Sequence, residues 1–105
     1  MSDAEPEFDA AHPSGHLLFR SCRGGYLHSV VLSEAVSDVR QPADVQALAE
    51  AVLRAADVSH LKAVMEVRRE IIEAGFSPSP ELPTPADLIR AEKHLNEHRL
   101  NQPES

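Results

Sequence analysis

The chain has 105 residues with a single cysteine, Cys22, which leaves room for one modest core and excludes an intramolecular disulfide. Seventeen acidic residues against ten basic ones give a formal net charge of −7, the wrong sign for a surface that neutralises phosphates. The aromatic set is Phe8, Phe19, Tyr26 and Phe76, with no Trp, so burial yields less per residue and help from a partner subunit is expected.

Residues 1–13 carry four acids and no base and read as an acidic flexible leader ended by His12-Pro13. They hold no basic-then-apolar targeting segment, and nowhere does the chain approach the ~20 apolar residues of a membrane span. A cytoplasmic protein that does not engage membrane is expected. Residues 14–75 then read as a β-hairpin followed by one long helix. Gly15–Ser21 and Tyr26–Leu32 are the strands, joined by Arg23-Gly24-Gly25 in a turn that glycine permits. Alternation puts Leu17, Phe19 and Ser21 on one face of the first strand, and Tyr26, His28, Val30 and Leu32 on one face of the second, with Leu27 and Val31 opposite. A lone hairpin is marginal in water, so the helix, further strands or a second copy must complete it.

Residues 34–41 form a polar connection. Pro42 fits the first helical turn, and neither Pro nor Gly recurs until Gly75, the natural stop. The implied helix has about 33 residues and a length of roughly 50 Å, too long for so short a hairpin to cover. Val45, Leu48, Ala49, Val52, Leu53 and Ala56 form one apolar stripe, continued by Val64, Val67 and Ile71. Val58, Leu61, Met65 and Ile72 form a second stripe nearly opposite, and two apolar faces require two neighbours. Residues 76–83 are a Pro-rich connector. Residues 84–100 form a C-terminal helix, with Thr84 as N-cap, Pro85 in the first position and Asp87 three residues after the cap. Leu88, Ala91 and Leu95 supply its thin apolar stripe, and 101–105 are expected to fray.

Six histidines raise a metal hypothesis. His94 and His98 stand at i and i+4, but the run His94-Leu95-Asn96-Glu97-His98 lacks a glutamate beside the first histidine, as metalloprotease helices require. A solvated helix face is the expectation. His16 and His28 on paired strands near Cys22 follow no known ligand spacing, His60 is expected to be partly buried in the core, and Cys22 to be a small buried hydrophobe. The serines show no nucleophile elbow and Gly24-Gly25 no phosphate loop. No catalytic, cofactor-binding or metal-ligating residue is therefore assigned, no cofactor is expected, and a histidine-dependent metalloenzyme is the weakest reading.

The run Ser14-Gly15-His16-Leu17-Leu18-Phe19, the tight turn, Leu27-His28-Ser29-Val30-Val31-Leu32-Ser33 and the helix beginning near Pro42 together resemble the YbaB/EbfC family over residues 13–74. That resemblance implies an α+β fold, a small antiparallel sheet packed on one long helix, in a dimer; several members bind DNA as nucleoid-associated proteins. This chain lacks their N-terminal helix and their basic excess. Leu82-Pro83-Thr84-Pro85-Ala86-Asp87 with Ala91-Glu92 is more closely similar to the tail of the Esp-type accessory proteins of actinobacterial type VII (ESX) secretion, of the EspD and EspH kind. It implies a non-enzymatic, chaperone-like role toward a secretion substrate or a secretion-system protein.

A homodimer is expected from the helix overhanging its sheet, with an interface drawn from Leu17, Phe19, Val30, Val58, Leu61, Met65 and Ile72. The competing arrangement folds the C-terminal helix back over Leu61, Met65 and Ile72 within one chain. The alternative function, nucleoid-associated DNA binding, is disfavoured by charge: residues 14–76 carry seven bases and eight acids, and residues 77–105 three bases and five acids. Labelled duplex titrated at ~0.15 M salt, where the screening length is about 8 Å, should show no specific binding. Sub-micromolar affinity with a steep salt slope would reinstate the DNA reading.

Overall fold

The computed structural model describes residues 7–22, 27–33 and 42–99. Among these, strands β1 (Glu7–Ala11), β2 (Leu17–Cys22) and β3 (Leu27–Leu32) form an antiparallel sheet in the order β1-β2-β3. Two helices follow, α1 (Pro42–Glu73) and α2 (Pro85–Asn96). The class is α+β, as expected.

β1 corrects the reading of 1–13 as a flexible leader. Its alternation is real: Ala10 and the following His12 are buried on the helix side, while Asp9 faces outward and grips Arg20 of β2. The Arg20 guanidinium donates from Nε to Oδ1 at 2.6 Å and from Nη2 to Oδ2 at 2.8 Å, and Glu7 lies 3.6 Å from its Nε. Acid on the outward positions of a short strand looks like a solvated tail when only composition is read. The β1–β2 turn closes through His12 N–H to Leu17 O and Gly15 N–H to His12 O, both 2.9 Å. Gly15 takes φ +81°, a conformation that glycine enters at no steric cost.

Between β2 and β3 the register pairs Leu17 with Leu32, Phe19 with Val30 and Arg20 with Ser29, then slips so that Ser21 faces Leu27. Val30 and Leu32 therefore share a face with Phe19 and Leu17, and the side chain of His28 lies outside the described residues. The Arg23-Gly24-Gly25 turn, the 34–41 connection and 101–105 lie outside the described residues, as does the side chain of Cys22.

Helix α1 begins at Pro42 and ends where expected. Gly75 takes φ +91°, its N–H bonds Ile72 O at 3.0 Å, and Phe76 N–H bonds Ile71 O at 3.1 Å, the paired bonds of a Schellman motif. Its buried line differs from the expected stripe. Ala51, Ala55, Val58 and Ser59 face the sheet, Leu48, Val52 and Ala56 flank them partly buried, and Val45 and Ala49 are exposed with Leu53, which is 68% exposed. Large side chains dominate a hydropathy stripe, whereas small ones decide where a helix axis can come nearest a sheet. His60 is exposed, because it falls on the face turned away from both neighbours of α1.

Polar groups tie this contact. Ser59 Oγ donates to Phe8 O and meets Ser21 Oγ, each at 2.5 Å, and Lys62 Nζ donates to Asp9 O at 2.6 Å. On the other side α2 runs back antiparallel along α1: Arg68 Nη1 reaches Pro83 O at 3.5 Å and Arg54 Nη1 reaches His94 O at 2.9 Å. Asp87 Oδ2 accepts Thr84 N–H at 2.7 Å and Thr84 Oγ1–H at 3.1 Å, so the expected cap is formed and holds the Asp87 carboxyl below its ordinary range. Ala91 and Leu95 pack with Leu61 in the core formed by Ala10, Leu17, Phe19, Ala51, Ala55 and Val58. The two apolar faces of α1 thus find two neighbours within the chain. Among the described residues no helix is long and apolar enough to cross a membrane.

Ser59→Ala leaves the Phe8 carbonyl without this buried donor and the Ser21 hydroxyl without its acceptor. It should cost about 1–3 kcal/mol in urea unfolding. The Ser21→Ala/Ser59→Ala pair should cost less than the sum of the two single changes, because one hydroxyl is no longer stranded by loss of the other.

Candidate functional site

The polar centre of the fold is a pair of histidines from opposite ends of the chain. His12, just past β1, is 2% exposed and His98, just past α2, is 7% exposed. Their rings meet edge-to-face with centroids 5.2 Å apart, and His12 Nε2 lies 2.9 Å from His98 Nδ1. β1 and the Gly15 turn bring in His12. The end of α2 at Asn96, with Glu97 N–H bonded to Lys93 O and His98 N–H to Leu95 O, turns His98 inward.

Neighbouring donors fix both tautomers. Ser14 N–H donates to His12 Nδ1 at 3.0 Å, and Ser14 Oγ lies 2.9 Å from the same nitrogen. A backbone amide can only donate, so Nδ1 holds a lone pair and the His12 proton sits on Nε2. His98 Nδ1 therefore accepts that proton, and His98 carries its own on Nε2, 3.6 Å from Glu50 Oε2. Donation runs one way, from Ser14 through His12 and His98 toward Glu50. Burial holds both imidazoles below the ordinary histidine value; for His12 the neighbouring His98 and Arg99 add to this, and for His98 Arg54 adds while Glu50 opposes. Ser14 Oγ also accepts from His16 N–H at 3.2 Å, which makes it part of the turn rather than a free nucleophile.

His98 thereby corrects the solvated-face expectation for His94 and His98: His94 is exposed, but His98 lies beyond the helix and is inside. His12 was hidden in the supposed leader, although Phe8, Ala10 and His12 alternate ahead of a Pro-Ser-Gly turn. His16 Nδ1 meets Ser33 Oγ at 2.7 Å. Among the described residues no group of three or more His, Cys, Asp or Glu is placed to hold a metal ion.

The expected interface residues separate into two groups. Leu17, Phe19, Val58 and Leu61 are buried in the chain's own core, so they are not available to a second copy; β1, read as a leader, and α2, in the fold-back weighed against the dimer, complete it. Val30 and Met65 remain partly accessible, and Ile72 is 55% exposed. The fold-back of α2 covers Leu61 but leaves Ile72 open. Met65, Ile72 and Pro85 line a cleft of about 520 Å³ walled by Arg68, Arg69 and Glu73. Arg69 is held by Glu66 and by Glu73 at 2.6 Å. A second cleft of about 630 Å³ runs between α1 and α2 over Leu61 and Ala91, rimmed by Asp57, Asp87, Arg90, Lys93 and Glu97.

These features define a small α+β domain, a three-stranded sheet covered by helices and pinned at its centre by a histidine relay. Residues 1–101 match the family described as "Protein of unknown function (DUF2694)", and the chain belongs to that family. It is 55% identical over 102 residues to "Uncharacterized protein Rv0028" of Mycobacterium tuberculosis and, equally, to "Uncharacterized protein Mb0029" of Mycobacterium bovis, with 97% of each chain covered. No solved structure matches it.

The paired nitrogens of His12 and His98 are bridged by a proton, and a metal in its place would need at least one further ligand to reach three. Thermal melting with excess chelator should superimpose on melting with added zinc. A loss of several degrees in chelator would establish a metal site.

Proposed function

We propose that this chain is a non-enzymatic protein-binding accessory protein, chaperone-like and cytoplasmic, which works as a homodimer. One observation carries the reading, namely the apolar cleft at the C-terminal end of α1. Beyond Lys62, which bonds Asp9 O of the sheet, the helix continues to Glu73, three further turns or about 16 Å. That length presents Met65 and Ile72 beside Pro85, with Phe76, 71% exposed, just beyond the helix end. Scattered surface apolar residues are ordinary, but apolar side chains lining a cleft bordered by charge are typical of a protein contact.

Association with type VII secretion is the finer part of the proposal, supported by the likeness of Leu82–Asp87 and Ala91-Glu92 to Esp-type tails. In the structure the same residues serve the cap and seam of α2, so a secretion role would use the surface they shape and not the motif itself. Deleting the gene in its host and quantifying type VII substrates in culture filtrate tests the association. Unchanged export and unchanged intracellular substrate levels would reject it.

The dimer is tested separately. At tens of micromolar, sedimentation equilibrium should give a dimer for the wild type and a folded monomer for Met65→Asp/Ile72→Asp. A monomeric wild type rejects the dimer, and a dimer that survives both substitutions places its interface elsewhere.

A further inference from the structure

The histidine relay takes an added proton only by breaking one of its bonds. His12 Nδ1, its one unprotonated nitrogen, points at Ser14 N–H at 3.0 Å. His98 Nδ1 faces the proton on His12 Nε2 at 2.9 Å. Protonating His98 on Nδ1 sets two N–H groups head to head, and protonating His12 on Nδ1 breaks the bond from Ser14 N–H and leaves only Ser14 Oγ, 2.9 Å away, to accept the new proton. The charged groups facing the pair come from each element packed around it: Glu50 and Arg54 from α1, His94 from α2, Arg99 from the segment after it, and His16 from the β1–β2 turn. Two of these are permanent cations and one is a carboxylate, so the surroundings do not welcome an imidazolium.

The pair also sits where it fastens something. Among the described residues His98 is the last buried one of the segment that carries α2, and its partners belong to the β1–β2 turn and to α1, 86 residues away in the case of His12. Leu95 and Ala91 lie about one and two helical turns before it, against Leu61.

We propose that His12 and His98 form an acid-sensitive clasp, whose protonation releases the C-terminal end of α2 from α1 and uncovers the apolar seam of Leu61, Ala91 and Leu95. The sign follows from linkage. The docked rings titrate below the ordinary value near 6.5, while the released rings titrate at it, so the released state binds more protons. Docking is favoured fully above about pH 6.5, weakens as pH falls from there toward the lowered values of the docked pair, and levels off below them. The opening equilibrium should rise by at most about tenfold per pH unit for each ring. The clasp is independent of the accessory role and of the dimer, since it concerns contacts within one chain.

Amide hydrogen exchange between pH 7.5 and 5.0, corrected for the intrinsic rate, reads it directly. Leu88–Asn96 should lose protection below pH 6.5 while Val52–Val58 of α1 keep theirs. His98→Gln, which can accept and donate without titrating, should flatten the response of α2. In case that variant undocks at every pH, imidazole nitrogen shifts of the wild type supply a second reading. Both rings should be Nε2–H tautomers at pH 7.5 and should titrate with the midpoint at which α2 loses protection. Constant protection of α2, simultaneous loss in α1 and α2, the opposite tautomers, or ring midpoints unlike that of α2 would each overturn the clasp.

Discussion

The near approach of α1 to the sheet governs the rest of this structure. Ala51 and Ala55 put almost no side chain between helix and strands, so backbone groups of β1 come within reach of α1 itself. Ser59 can then donate to Phe8 O and Lys62 to Asp9 O. Those two bonds hold an edge strand of five residues that a hairpin alone would not retain. Once β1 is held, His12 is fixed beside α1, and the seam used by α2 has its polar end wall. Larger residues at 51 and 55 would lift the helix and weaken each of these in turn.

Burying polar groups in so small a core is costly unless every one is satisfied, and here they are. Among the described residues no buried side-chain nitrogen or oxygen lacks a hydrogen-bond partner. The serine pair and the histidine pair differ in consequence, however. Serine hydroxyls rotate and do not titrate near neutral pH, so Ser21 and Ser59 give a contact indifferent to solvent conditions. Imidazoles arranged nitrogen to nitrogen admit one protonation pattern, which makes the attachment of α2 conditional where that of β1 is not.

Local signals were legible in the sequence and long-range ones were not. Pro42, Gly75 and Thr84-Pro85-Ala86-Asp87 act through their own backbone and nearest neighbours, and both helices begin at the expected positions while α1 also ends as expected. The face of α1 was misjudged because Leu53 and Val45 weigh heavily in hydropathy, while the proximity set by two alanines leaves no trace in periodicity. β1 was passed over because its outward positions are acidic, a pattern explained only by Arg20 across the sheet. The histidine relay joins residues whose separation no spacing rule spans. His98 also follows a helix that stops at Asn96, four residues short of the expected end, and that difference turns an apparent i, i+4 surface pair into one exposed ring and one buried ring.

The connector between Gly75 and Pro85 has a further consequence. With prolines at 78, 80 and 83 it is a short strap of restricted flexibility, and Thr84 already bears the cap that starts α2. A detached α2 would therefore stay within a few tens of ångströms of its seat, at an effective local concentration on the order of millimolar. A competing apolar segment would have to match that concentration to occupy the seam. Short-lived visitors would be displaced, and only ligands with slow dissociation would persist, so the strap sets an affinity threshold for whatever binds there.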